Sequence, residues 1–200
     1  MEIFHWICSK DRALFIALNG ARDPFLDRLM LFFSYPPAWF WLILAAVAAW
    51  RLYKGSKRER FVICCAILVL LVSDLLCNRV LKPLFMRPRP FDDLVGIWVY
   101  KGGRFMLTTP EFVQRVRDTM SLPSAHAMNN WSVAIFMFCQ NRRIGLAFMA
   151  VALIVSYSRI YLGVHYPLDV AAGALLGALL GALAARLSDE AWKRLGSRSG

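Results

Sequence analysis

The chain has 200 residues, enough for one domain with short extensions. Its hydrophobic fraction of 58% falls in blocks, and a mean hydropathy of +0.49 excludes an ordinary soluble composition. The formal charge of +11 comes from cations between apolar runs, with no continuous basic face. That pattern fits loops meeting anionic lipid headgroups and excludes a nucleic-acid partner.

Residues 1–34 hold two apolar patches, 13–18 and 29–33, interrupted by charges such as Lys10, Asp11, Arg12, Asp23 and Asp27. Neither patch approaches the roughly 20 apolar residues that a span needs. Two interfacial helices are expected here, with Asp23-Pro24 as the start of the second. The charge placement argues against a cleaved signal peptide.

Residues 37–53 form the first span, with Trp39, Trp41, Trp50 and Tyr53 as interfacial anchors. The basic loop 54–60 reads as cytoplasmic, so the second span, 61–81, runs outward. Residues 82–122 make a mixed-charge outer segment with two short helical stretches. Span three, 127–139, returns to a second basic turn at Arg142-Arg143. Span four is 144–157, and span five, 170–185, leads to a polar inner tail.

The expected fold is therefore all-α: a polytopic membrane bundle of about five transmembrane helices, with interfacial N-terminal helices and an outer loop segment. It is read as one domain over 1–200, divided into 1–34, a bundle at 35–186 and a cytoplasmic tail at 187–200. Gly173, Gly177 and Gly181 recur every four residues and predict a close-packing seam. The five cysteines form no CxxC pair and are expected to be buried thiols, neither metal ligands nor disulfides.

This topology gathers three polar clusters on one side: Lys82 to Pro90, Ser121 to His126, and Ser158 to Asp169. Lys82, Arg89 and Arg159 suit phosphate oxygens, arginine through a fixed fork of donors. Ser124, just before an apolar helix, offers a hydroxyl and free backbone N–H groups to an anion; an ordinary helix cap is the plainer alternative. His165 with Asp169 four residues on can place one ring N–H on the carboxylate, freeing the other nitrogen. The plainer alternative is that Asp169 only caps a helix starting at Pro167. A lone His126 would read as a satisfied core histidine.

Asp74 and Asn78 precede Lys82 on one helix face. An aspartate within a span is a functional candidate, here as partner to a site cation; the plainer alternative, a structural role as packing partner for Arg79, is the one expected. Arg87 and Arg104 are candidates to reach an anionic headgroup.

Together K-x6-R-P (Lys82 to Pro90), P-S-x-H (Pro123 to His126) and S-R-x5-H-x3-D (Ser158 to Asp169) resemble the three signature motifs of the type 2 phosphatidic acid phosphatase superfamily. The resemblance implies a phosphohistidine on His165, oriented by Asp169, with His126 as acid for the leaving group and then base for water. It implies that Lys82, Arg89, Ser124, Ala125 and Arg159 hold the phosphate, with no metal and no cofactor. Where the family has P-S-G-H, this chain has Ala125 in place of the glycine. Alanine keeps the backbone N–H but would cost about 1 kcal/mol or more at positive φ.

The expected function is hydrolysis of a lipid phosphate or diphosphate, foremost undecaprenyl diphosphate, at the outer face of a bacterial inner membrane. The expected partners are that lipid and the surrounding membrane lipids. Phosphatidylglycerophosphate and lipid A phosphatases are the close alternatives. A lipid phosphotransferase or an inactive lipid-binding protein are the alternatives of other classes.

Overall fold

The computed structural model describes residues 2–115 and 120–197. Two stretches of the expected segments, 116–119 of the outer loop and 198–200 of the tail, lie outside them. In chain order the elements are α1 (Glu2–Gly20), α2 (Pro24–Ser34), α3 (Ala38–Lys54), α4 (Lys57–Leu76), a π-helical turn (Cys77–Leu81), α5 (Lys82–Phe85) and α6 (Pro90–Asp93). Then come β1 (Trp98–Lys101), β2 (Arg104–Leu107), α7 (Pro110–Arg115), α8 (Ala125–Gln140), α9 (Arg142–Tyr161) and α10 (Pro167–Ser197).

All five expected spans are helices. Residues 57–93, 142–161 and 167–196 are long and apolar enough to cross a membrane, and α2 with α3 add a fourth if that pair, bent by 46°, counts as one. At 16 residues α8 is shorter. It packs centrally, between α10, α9 and α4. The glycine seam explains the tightest of these contacts. A Cβ at Gly173, Gly177 or Gly181 would overlap the backbone carbonyl of Ser124, Met128 or Ser132, so α10 lies directly on α8.

Local chemistry sets the element ends. Asp23 caps α2 by accepting from Phe25 and Leu26 N–H, at 2.8 and 3.1 Å. Ser56 and Glu59 form a reciprocal capping box at the start of α4. Near the far end, Lys82 N–H bonds to Cys77 O, five residues back. Pro83 follows with no N–H to donate, so the ladder widens into a π turn and ends at Met86 in the left-handed region, φ 44°.

Two features depart from the sequence reading. The outer segment contains an antiparallel hairpin, Trp98 opposite Leu107 and Lys101 opposite Arg104, around Gly102-Gly103 at φ 62° and 80°. Two successive positive-φ residues are what a tight hairpin turn requires, and the glycine pair was the missed signal. The N-terminal helices do more than float on the surface. Phe15 and Met30 enter the main apolar cluster with Val99 and Tyr161. Asn19 is 2% exposed and bonds Trp98 O at 3.0 Å, Trp98 N at 2.9 Å and Tyr161 O at 3.1 Å. Of the polar tail, the described residues continue α10 to Ser197.

The cysteine expectation is corrected as well. Cys77 is buried, but Cys64 and Cys139 are exposed, and Cys8 and Cys65 are half-buried; all are free thiols. An apolar stretch in a membrane helix is as satisfied by lipid as by protein, so hydrophobicity there does not mean burial. The same reasoning covers exposed Leu42, Leu68, Leu71 and Leu179 on the span surfaces.

Candidate active site

The bundle has two chemically different ends. At one, Arg58 of α4 bonds Gln140 and Asp189, at 2.6 and 2.5 Å, and lies over Trp192. At the other, the three motif clusters meet. Lys82 ends the helix built from α4, His126 is in the first turn of α8, Arg159 is in the last turn of α9, and Asp169 is in the first turn of α10.

A cavity of about 630 Å³ opens between these ends of α4, α8 and α9 and the bend between α2 and α3. Lys82, Arg89, Ala125, His126, Arg159 and His165 all line it. Residues up to 83 positions apart in sequence thus share one anion-sized space. The remaining wall is apolar and aromatic, including Phe32, Phe40, Trp41, Val151 and Val155.

The loop from α9 to α10 is shaped to deliver His165. Gly163, at φ 75°, lets the chain turn where a Cβ would meet Trp98 O. Arg159 O then accepts from Val164 N and His165 N, at 3.1 and 3.3 Å, folding the imidazole back over the arginine. His165 is 2% exposed. Burial pushes its pKa down to about 4, with the Asp169 carboxylate offsetting part of that, so the ring is neutral at pH 7.

Asp169 does not meet the imidazole directly. Its Oδ2 is 3.8 Å from His165 Nδ1, and the Ser121 hydroxyl sits between, bonded to Oδ2 and 3.3 Å from Nδ1. An ionised carboxylate only accepts, so Ser121 donates to Asp169 and is free to accept from His165 Nδ1–H. That leaves Nε2 unprotonated. Asp169 also accepts from Tyr166 N–H at 2.8 Å, so the carboxylate that faces Ser121 also caps the start of α10. Its other oxygen, Oδ1, accepts from Arg87 at 2.7 Å, and Arg87 in turn binds Asp11 of α1 at 2.5 Å. Asp11 also accepts from Leu168 N–H at 2.8 Å.

Several sequence expectations change here. Arg87 does not reach for an anion, because two carboxylates hold it. Arg104 sits exposed on the hairpin and does not line the cavity. Ser124 is not an ordinary cap: it precedes α8 with no capping bond from its side chain. Its hydroxyl is buried without a partner among the described residues, as are Arg159 Nε and Nη1 and Arg89 Nε. Buried polar atoms left open around one cavity are consistent with a ligand rich in acceptors. Ala125 is the first residue of α8 and lies outside the positive-φ region, so the family glycine is not needed for backbone reasons. Asp74 ignores Arg79 and connects to Lys82 through Asn78, at 3.0 and 2.8 Å.

Sequence reasoning missed Ser121 and Asp11. Ser121 was visible only as a neighbour of the second motif. Asp11 carries no local signal, because its partner is 76 positions away.

The PAP2 superfamily model matches residues 62–193. The chain is 31% identical over 178 residues to a lipid A 4'-phosphatase of Bacteroides thetaiotaomicron, covering 83% of this chain and 71% of that one. It is 27% identical to the undecaprenyl-diphosphatase BcrC of Bacillus subtilis, over 88% and 83% of the two chains. Among solved structures it resembles a transmembrane PAP2 type phosphatidylglycerolphosphate phosphatase from Bacillus subtilis. The TM-score is 0.64 at 25% identity, covering 92% of this chain and 87% of that one.

Proposed function

The chain belongs to the PAP2 superfamily, and from that premise we propose that it hydrolyses a lipid phosphate or diphosphate through a phosphohistidine, without a metal. The observation that carries this is the single cavity shared by His165, His126 and three cations.

In this reading the phosphate lies among Lys82, Arg89 and Arg159, with the Ser124 hydroxyl and the first N–H groups of α8 completing its contacts. His165 Nε2 forms a bond to phosphorus as the bond to the lipid oxygen breaks, and His126 gives that oxygen a proton. A water molecule then loses a proton to His126 and attacks phosphorus, releasing inorganic phosphate and restoring His165. Ser121 and Asp169 hold the Nδ1 proton throughout. The aromatic wall receives the lipid tail.

The site is assigned to the extracytoplasmic face of a bacterial inner membrane, opposite the basic end at Arg58, Arg142 and Arg143. Undecaprenyl diphosphate is the substrate expected from sequence, and the Bacillus relative supports it. A phosphorylated glycolipid or glycerolipid is the second reading. It is favoured by the Bacteroides relative and by the polar residues on the α4 wall of the cavity.

The test is phosphate release by detergent-solubilised protein from a panel of lipid phosphates, with an acid-quench assay for protein-bound phosphate. Release by the wild type and none by His165→Ala is expected. A His165→Ala protein with undiminished turnover would remove the proposed nucleophile. Transfer of the labelled phosphate to a second lipid and not to water would make the protein a transferase.

A further inference from the structure

We propose that Asp74 is the acceptor of a second recognition site, which takes a hydroxyl or amide N–H donor on the lipid beside its phosphate. The substrate class is then a phosphate ester of a donor-bearing lipid, a glycolipid first, and not a bare polyprenyl diphosphate. This rests on the phosphatase reading and names the substrate of the same cavity.

Leu70, Asp74, Asn78 and Lys82 stand at four-residue intervals and all line the cavity. At about 1.5 Å per residue, Asp74 lies roughly 12 Å along the helix from Lys82, within an otherwise apolar span. The carboxylate is held in place there. Asn78 Nδ2 and Asn129 Nδ2 each donate to Asp74 Oδ1 at 3.0 Å. Asn129 is itself fixed by Ser73 Oγ at 2.7 Å, and Asn78 Oδ1 accepts from Lys82 Nζ at 2.8 Å. The two amides converge on one oxygen, and Oδ2 accepts from no described residue.

Asp74 is nonetheless exposed. A carboxylate opening into the cavity from an apolar span finds no further donor on the cavity wall, an expensive arrangement unless something polar enters. A tie between α4 and α8 would be served by Ser73 and Asn129 alone and does not need a charge. The cavity lining explains what the charge is for. One wall presents Asp74, Asn78 and Asn129; Phe32, Phe33, Phe40 and Trp41 contribute apolar faces. A sugar has both complements, hydroxyl or amide donors at its edge and C–H groups on its faces. A polyprenyl chain has no donor, and the second phosphate of its diphosphate would be repelled by the carboxylate.

The experiment compares kcat/KM of the full chain in detergent for four substrates of matched chain length. They are an N-acyl glucosamine lipid phosphate, a lysophosphatidate with its free glycerol hydroxyl, a plain alkyl phosphate and a polyprenyl diphosphate. The wild type is expected to favour the donor-bearing lipids by about tenfold or more, the size of one hydrogen bond to a charged group. In Asp74→Ala that ratio is expected to collapse, mainly through KM, with Asp74→Asn between the two. Preference for the glucosamine lipid identifies a sugar as the source of the donor, and preference for the lysophosphatidate identifies glycerol.

Equal wild-type kcat/KM on all four, or a ratio unchanged by Asp74→Ala, overturns the subsite while leaving the phosphatase reading intact. No phosphate release from any of them overturns that reading instead. If neither variant folds, wild-type inhibition decides. An alkyl N-acyl glucosaminide lacking phosphate should compete at about tenfold lower concentration than the matched alkanol, and equal potency refutes the proposal.

Discussion

Arg87 Nη1 lies 2.7 Å from Asp169 Oδ1, and the same guanidinium binds Asp11, so the first helix of the chain and the first turn of α10 share one cation. Asp169 is fully buried, and its charge is tolerable because Arg87 and two further donors meet it. Removing one partner of such a pair strands the other, which costs about 3–5 kcal/mol. Arg87→Ala is therefore expected to lower both the melting temperature and turnover, and Asp11→Asn to do so less. Differential scanning and phosphate release on the purified variants check this. Wild-type values for Arg87→Ala would show the brace to be idle.

Ser121 stands between the imidazole and the carboxylate. Ser121→Ala removes the group that accepts from Nδ1, so the tautomer with Nε2 free is less favoured. About a tenfold fall in kcat is expected with little change in KM, the size of one modest hydrogen bond. Steady-state kinetics separates the two constants. A change confined to KM would argue that Ser121 touches substrate.

Ser124 makes no capping bond, whereas Asn141 caps α9 by accepting from Arg143 N and Ile144 N at 3.1 and 3.2 Å. The two positions should therefore respond oppositely. Ser124→Ala is expected to leave stability nearly unchanged and reduce kcat/KM by about tenfold. Asn141→Ala is expected to cost about 1 kcal/mol of stability and leave catalysis alone. Thermal unfolding and kinetics on both variants test the contrast.

His165 has a folded-state pKa near 4, below the usual 6.5. Above pH 6.5 the ring is neutral whether folded or not, and it adds no pH dependence. Between 6.5 and about 4 the unfolded chain takes up a proton that the folded one refuses, so stability falls as pH falls. The melting temperature of the wild type should decline across that window more steeply than that of His165→Gln. For the same reason, loss of the free nucleophile with acid should set in near pH 4 and not near 6.5.

Much of this was legible in the chain. Five apolar blocks, two of the breaks between them basic, were enough to locate five helices, because a bilayer demands long apolar stretches and internal hydrogen bonding wherever the chain crosses. The three motifs sit at helix ends that the alternation of spans brings to one face, so Lys82, Arg89, His126, Arg159 and His165 could be pooled before any coordinates. The hairpin was missed although Gly102-Gly103 marks its turn, since a four-residue strand carries little periodicity of its own.

What the sequence determined by itself was everything periodic or local: which segments form the apolar helices, which end is basic, where Asp23 and Pro167 start helices, and which polar side chains gather at the far end. The tertiary structure alone decided how those side chains are wired, because a hydrogen bond depends on angstroms between residues that lie tens of positions apart. Ser121 comes between His165 and Asp169, Asp11 reaches Arg87 from another helix, and Asp74 turns into the cavity past Arg79. No pattern along the chain encodes those distances; the packing of α8 against α10, α9 and α4 sets them.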